Sequence, residues 1–241
     1  MLIVIILFSS SIPIFITEPP RELNDKHERL QTIATPTPSG NPEWMTAIMS
    51  AGPLTIQVSD MVSDSNGNMY VGGYFSGTIS INGTTLTSSG DDDVVVAKFD
   101  SEYVLVWAVS GGGPNKDRAA AIALDSNGNV LVTGNYNSGS VTFGNVTNGW
   151  AVGGCFTSKI SSNGTWSWSY LYESPFAPRD IALDSSNNVY ITGSYSAFGQ
   201  TKAFVWKLST HGSYEMQWLS PNDQGSITGT EIAIDNQGNI L

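Results

Sequence analysis

One short motif in this chain has the residue types of a cation ligand. Asp64-Ser65-Asn66-Gly67-Asn68 recurs as Asp125-Ser126-Asn127-Gly128-Asn129, as Asp184-Ser185-Ser186-Asn187-Asn188 and as Asp235-Asn236-Gln237-Gly238-Asn239. Asp and Asn at alternate positions are how an EF-hand calcium loop opens, but that loop also needs Gly at its sixth position and Glu at its twelfth. The sixth position here is Met69, Val130, Val189 or Ile240, and the twelfth is Phe75, Tyr136 or Tyr195. We therefore read the motif as a hairpin turn whose Asp accepts backbone N–H bonds, with Ca2+ as the alternative and no other cofactor implied. The fourth residue is Gly67, Gly128, Asn187 or Gly238, the two residue types that best tolerate a left-handed backbone.

Other chemistry is sparse. His27 and His211 are the only histidines, and Cys155 is the only cysteine. No Ser–His–Asp set, His-rich metal set, intrachain disulfide or thiolate cluster can be built from them. Gly111-Gly112-Gly113-Pro114 lacks the Lys of a phosphate loop. Acidic residues stand four positions before three of the turn aspartates: Asp60, Asp180 and Glu231, with Ala121 breaking the series. They are expected to form structural ion pairs with lysines on an adjacent strand. Asp91-Asp92-Asp93 reads as a solvated turn. Asn82-Gly83-Thr84, Asn145-Val146-Thr147 and Asn163-Gly164-Thr165 are glycosylation sequons, all in expected hairpin turns. With 10 basic against 21 acidic residues and a net charge of −11, the surface is wrong for phosphate, so nucleic acid is not an expected partner.

The elements that position these residues follow from the repeat. The turn aspartates are 61, 59 and 51 residues apart. Nine residues beyond the first three of them stands a Gly (Gly73, Gly134, Gly193), and two further on an aromatic (Phe75, Tyr136, Tyr195). A second register holds Lys98, Lys159 and Lys207 after strand-like runs, each followed by a Trp: Trp107, Trp168, Trp218. Trp44 shares the follow-on without the Lys. These tryptophans are expected in the core between blades. Trp150, Trp166 and Trp206 fall outside the register, where exposed aromatics could stack on sugar rings. Each repeat reads as four short strands; in the second copy they span 121–124, 129–134, 155–160 and 165–171. Only 13% of residues are charged and 25 are Gly, which argues against long helices. Tandem four-stranded units of this length predict an all-β fold, a β-propeller.

The turn string, the apolar run ending in Lys and the following Trp-Ala resemble the SBBP β-propeller repeat family over residues 44–241. That resemblance implies the fold and no defined activity. The third copy departs: it lacks the segment formed by Gly77-Thr78-Ile79-Ser80-Ile81 and by Gly139-Ser140-Val141-Thr142-Phe143, so its hairpin should be shorter. About three and a half repeats fall short of the ~4–8 blades of a closed ring. The expectation is an incomplete propeller, an open ring or arc truncated at its C-terminus. In that arc the lone strand after Trp44 should pair wrongly or lie loose.

The start of the chain differs. Residues 2–8 are an unbroken apolar run, too short for a membrane span. They suit a signal peptide or N-terminal anchor over 1–17, followed by a Pro-rich polar linker over 18–43. The chain is thus expected at the cell surface or outside the cell, touching membrane only through an uncleaved leader. Its expected role is a non-catalytic binding or scaffold module for a protein or glycan ligand. The alternative is a secreted enzyme acting on polysaccharide at one propeller face.

Overall fold

The computed structural model describes Ile3–Ile6, Met45–Ser50 and residues 56–241 apart from 138, 149–152, 174 and 222–224. The linker, Trp44, Trp150 and the leader other than Ile3–Ile6 lie outside the described residues. Every described element is a strand. β1 (Ile3–Ile6) pairs antiparallel with β2 (Met45–Ser50). The first blade follows as β3 (Ile56–Ser63), β4 (Met69–Phe75), a projecting hairpin of β5 (Thr78–Ile81) and β6 (Thr84–Thr87), then β7 (Asp93–Phe99) and β8 (Leu105–Gly111). The second has β9 (Asp117–Leu124), β10 (Val130–Tyr136), a hairpin of β11 (Val141–Phe143) and β12 (Val146–Asn148), β13 (Gly154–Ile160) and β14 (Trp166–Glu173). The third has β15 (Phe176–Leu183), β16 (Val189–Ala197), β17 (Gln200–Leu208) and β18 (Tyr214–Leu219).

Each blade is a four-stranded antiparallel meander, ordered β3-β4-β7-β8, β9-β10-β13-β14 and β15-β16-β17-β18. The chain is therefore an all-β repeat protein of propeller type with an open arc of blades. β2 pairs at Met49↔Ser80 and Ser50↔Ile79 with the hairpin strand β5 rather than with a blade. As the third copy's deletion implies, β16 runs straight into β17 through a tight turn at Phe198 and Gly199, both at positive φ. At that junction Tyr172, Phe176, Tyr195, Phe204 and Trp206 form an aromatic cluster, with the Phe176 and Trp206 ring centres 4.5 Å apart. Trp206, outside the tryptophan register, is fully buried there.

Burial follows strand position. The second and third strands of blades one and two are buried almost without interruption, because both faces are covered: blade two lies between blades one and three, and the outer face of blade one packs against Ile79, Ile81 and Leu86 of the β5–β6 hairpin. That explains the continuously apolar runs such as Val94-Val95-Val96. Tyr70, Val94 and Val96 pack across to Val130, Val132 and Ile160, joining blades one and two. Leu131 and Cys155 pack onto Val189, Ile191 and Phe204, joining blades two and three. The innermost strands β3, β9 and β15 each carry a register shift near their middle. The repeated Gly73, Gly134 and Gly193 sit opposite that shift. A Cβ on them would lie 2.0, 2.0 and 2.1 Å from the carbonyl oxygens of Gln57, Arg118 and Ala177, so only glycine fits.

Candidate functional site

Three of the Asp turns line one end of the blades, between first and second strands, and the fourth, at Asp235, follows blade three inside an isolated bridge between Ile234 and Ile240. In each, one carboxylate oxygen accepts two backbone N–H bonds: Asp64 from Asn66 and Asn68, Asp125 from Asn127 and Asn129, Asp184 from Ser186 and Asn188, Asp235 from Gln237 and Asn239, all at 2.8–2.9 Å. The other oxygen accepts the carboxamide N–H of the motif's last Asn at 2.7–2.8 Å. Gly67, Asn187, Gly128 and Gly238 have φ of 81°, 62°, 74° and 83°, as the motif requires. The carboxylates are therefore engaged as turn anchors. Among the described residues no group of three or more His, Cys, Asp or Glu is placed to hold a metal.

The repeated lysines meet these turns in two ways. Lys98 lies opposite Tyr70, Lys159 opposite Leu131 and Lys207 opposite Tyr190 on paired strands. Where the partner is Tyr, its hydroxyl donates to the turn Asp, at 3.2 Å for Tyr70–Asp64 and 3.3 Å for Tyr190–Asp184. The lysine then sits over the ring, 5.1 Å from its centre for Lys98 and 5.8 Å for Lys207. Where the partner is Leu131, nothing intervenes, and Lys159 reaches Asp125 at 2.8 Å. Burial works to raise the Asp125 carboxyl, but Lys159, Asn129 and Asn127 outweigh it and hold it below the usual carboxylate range. Lys207 also pairs with Glu215 at 3.0 Å.

The acids four residues before the turns do something the sequence reading missed. Asp60 does not pair with a lysine. It accepts from its neighbour Met61 N–H at 2.7 Å and from Ile122 N–H of the next blade at 2.9 Å. Asp180 repeats this with Ile181 and Ile232 at 2.8 Å each. Asp60 thus clasps β3 to β9, and Asp180 ties β15 to the segment before the Asp235 turn; Ala121, in the same position of blade two, is buried in the apolar junction. Glu231 is exposed.

The tryptophans also need correcting. Trp107 and Trp168 are only partly buried. Each indole lies against the next blade's turn between third and fourth strands, over Gly164 and Gly212. Its N–H donates to the Ser162 carbonyl at 3.0 Å and to the Thr210 carbonyl at 3.3 Å. They bridge blades at the rim, not in the core. Among the described residues no such turn lies against Trp218, which is 50% exposed. Trp166 packs on Phe143, ring centres 5.1 Å apart.

Asp91-Asp92-Asp93 is not a solvated turn, since Asp92 and Asp93 are buried. Asp92 pairs with Arg118 at 2.5 Å, while Asp93 accepts from Ser89 N–H at 3.0 Å with its other oxygen unpartnered. Burial pushes the Asp93 carboxyl up; Ser89 opposes this and Asp117 and Asp92 add to it. The sequon residues Asn82, Asn145 and Asn163 are all exposed in hairpin turns. Cys155 is buried and its thiol is pushed up by that burial.

Two grooves open between the turns. The first, about 530 Å³, is lined by Asp64, Asn66, Lys98, Asp125, Asn127 and Ser162 with their neighbours. The second, about 430 Å³, is lined by Asp125, Asn127, Lys159, Trp168, Asn187 and His211 among others. Both fall within the ~300–1,000 Å³ of small-ligand sites, and their walls mix hydroxyls and carboxamides with the aspartates, the lysines and Trp168. His211 Nδ1 is 3.0 Å from the hydroxyl of Thr210. The lining residues come straight from the turn motif, yet their meeting across blades was not visible in it.

No known family profile matches the chain. It is 24% identical over 177 residues to the "Uncharacterized WD repeat-containing protein L264" of Acanthamoeba polyphaga mimivirus, a match that covers 60% of this chain and 13% of that protein. The chain thus spans a small part of the curated relative it matches. Among solved structures, a protein of unknown function from Bacteroides caccae aligns with a TM-score of 0.46 and 11% identity, over 82% of this chain and 55% of the other.

Proposed function

We propose that this chain is part of a secreted or surface-attached β-propeller of the SBBP type that binds a ligand without transforming it. The observation that carries the reading is how the charged groups of the turn face are used. Each turn Asp accepts three N–H bonds from its own loop, and Lys159 is tied to Asp125. General acid–base work needs a titratable group free to exchange a proton with substrate. These groups hold walls in place, leaving amides and hydroxyls to recognise whatever enters. Export rests on the apolar leader and polar linker. The test has two arms. A reporter fused to residues 1–45 should leave the cytosol; a wholly cytosolic reporter would refute export. The purified chain, incubated with cell-surface polysaccharide and protein extracts, should retain a fraction and return it chemically unchanged. Release of shortened products would establish the enzyme reading instead.

A further inference from the structure

We infer that the two turn-face grooves form one continuous site for a neutral oligosaccharide, running from blade to blade. This deepens the binding-module reading and rests on it. The grooves are not separate: Asp125 and Asn127 line both, so a ligand lying in one reaches the other across Asn127. Asn127 is exposed, and its backbone N–H holds Asp125 at 2.9 Å. Among the described residues its carboxamide has no partner, and the same is true of Asn66 in the preceding turn.

Lys98 completes the set. Lys159 and Lys207 each have a carboxylate partner. Lys98, in the larger groove, has none among the described residues: Tyr70 takes the Asp64 oxygen, whereas Leu131 leaves that of Asp125 to Lys159. Its ammonium offers donors beside two free carboxamides and the serines of the groove wall.

Carboxamides present a donor and an acceptor side by side, and hydroxyls can act as either. That matches the vicinal hydroxyls of a sugar, which also donate and accept. Trp168, partly buried at the wall of the second groove, adds apolar surface for the C–H face of a ring. The grooves repeat at the blade spacing, which suits a ligand built of repeated units. Neutrality follows from charge: within the grooves Lys98 and Lys159 offset Asp64 and Asp125, so neither sign of ligand is favoured locally, while the chain's net −11 repels a polyanion on approach.

The test is calorimetric titration of the whole chain with graded neutral hexose and N-acetylhexosamine oligomers, with oligogalacturonate and a poly-glutamate peptide as controls. Affinity should rise with oligomer length. Asn127→Ala truncates an exposed side chain while keeping the backbone N–H that anchors Asp125. Lys98→Met keeps the aliphatic stem over Tyr70. Either should weaken binding roughly tenfold, the equivalent of one strong hydrogen bond, with an unchanged circular dichroism spectrum and urea midpoint. No binding of any neutral oligomer, binding indifferent to both variants, or equal binding of the anionic controls would overturn the inference. If another ligand class is retained intact, the binding-module reading stands while this one falls. Cleavage of the oligomers would remove both.

Discussion

Asp125→Ala is the perturbation for which the structure gives the clearest magnitude. The Asp125 side chain is fully buried, and it accepts two backbone N–H bonds, the Asn129 carboxamide and the Lys159 ammonium at 2.8 Å. The Lys159 side chain is only 14% exposed, so removing its partner leaves a nearly buried charge uncompensated. Breaking such a pair costs ~3–5 kcal/mol. Asp64→Ala is the control. It removes similar turn bonds but strands no lysine, and its turn is more exposed, so ~1–2 kcal/mol is expected. Asp125→Asn should fall between the two, keeping an oxygen for the backbone donors and losing the ion pair. Equilibrium urea unfolding followed by tryptophan fluorescence, with unchanged slope, measures all three. The pH dependence has a definite sign. The folded carboxyl is held below its unfolded value, so its contribution is complete above the unfolded pKa and is lost as pH falls through the folded one. The gap between wild type and Asp125→Ala must therefore shrink in acid. A loss below ~1 kcal/mol for Asp125→Ala, or one equal to that of Asp64→Ala, would refute the buried-pair reasoning.

Trp168→Ala should cost ~2 kcal/mol, roughly half a fully buried tryptophan, whereas Trp218→Ala should stay within ~0.5 kcal/mol; urea midpoints compare them, and equal losses would contradict the bridging role. Asp60→Ala should cost ~1–3 kcal/mol and speed amide exchange at Ile122, its N–H partner in the next blade; unchanged exchange there would dismiss the clasp. Asp93→Asn should behave in the opposite sense to Asp125. The folded carboxyl is raised, so its ionisation penalty applies above the folded pKa and is relieved as pH falls. The variant's advantage over wild type should appear near neutral pH and vanish in acid, and thermal melts across that range would show whether it does.

The repeat was legible because each copy solves the same local problem. The positive-φ position admits Gly or Asn, and the tight approach opposite the inner-strand bulge admits only Gly, so both survive as visible spacings. The missing hairpin of the third copy could be counted directly. What the sequence hid depends on pairs of residues from different copies. Asp60 looks like a lysine partner by charge, but its target is the backbone N–H of Ile122, which no side-chain pattern reveals. Trp107 and Trp168 look like core by size, yet an indole that must donate to Ser162 or Thr210 sits at the rim, where those carbonyls are. The choice between Tyr70 and Leu131 decides whether a lysine stacks or pairs, and that logic appears only once strand register is known. Asp92 and Asp93 read as solvated because three consecutive acids usually are; Arg118 from the next strand and the folding-over of the 112–117 loop bury them. The grooves have no motif of their own. They arise where two turns from successive blades stand side by side.

The central claim is that the turn face recognises a ligand and leaves it unchanged. Hydrogen-exchange mass spectrometry of the whole chain, with and without a neutral polysaccharide extract and with the extract analysed afterwards, tests it directly. The account predicts slowed exchange in residues 63–68 and 124–129 with the polysaccharide recovered intact. Protection confined to the opposite groove around Ala120, Pro178 and Arg179, or recovery of cleaved sugar, would contradict it.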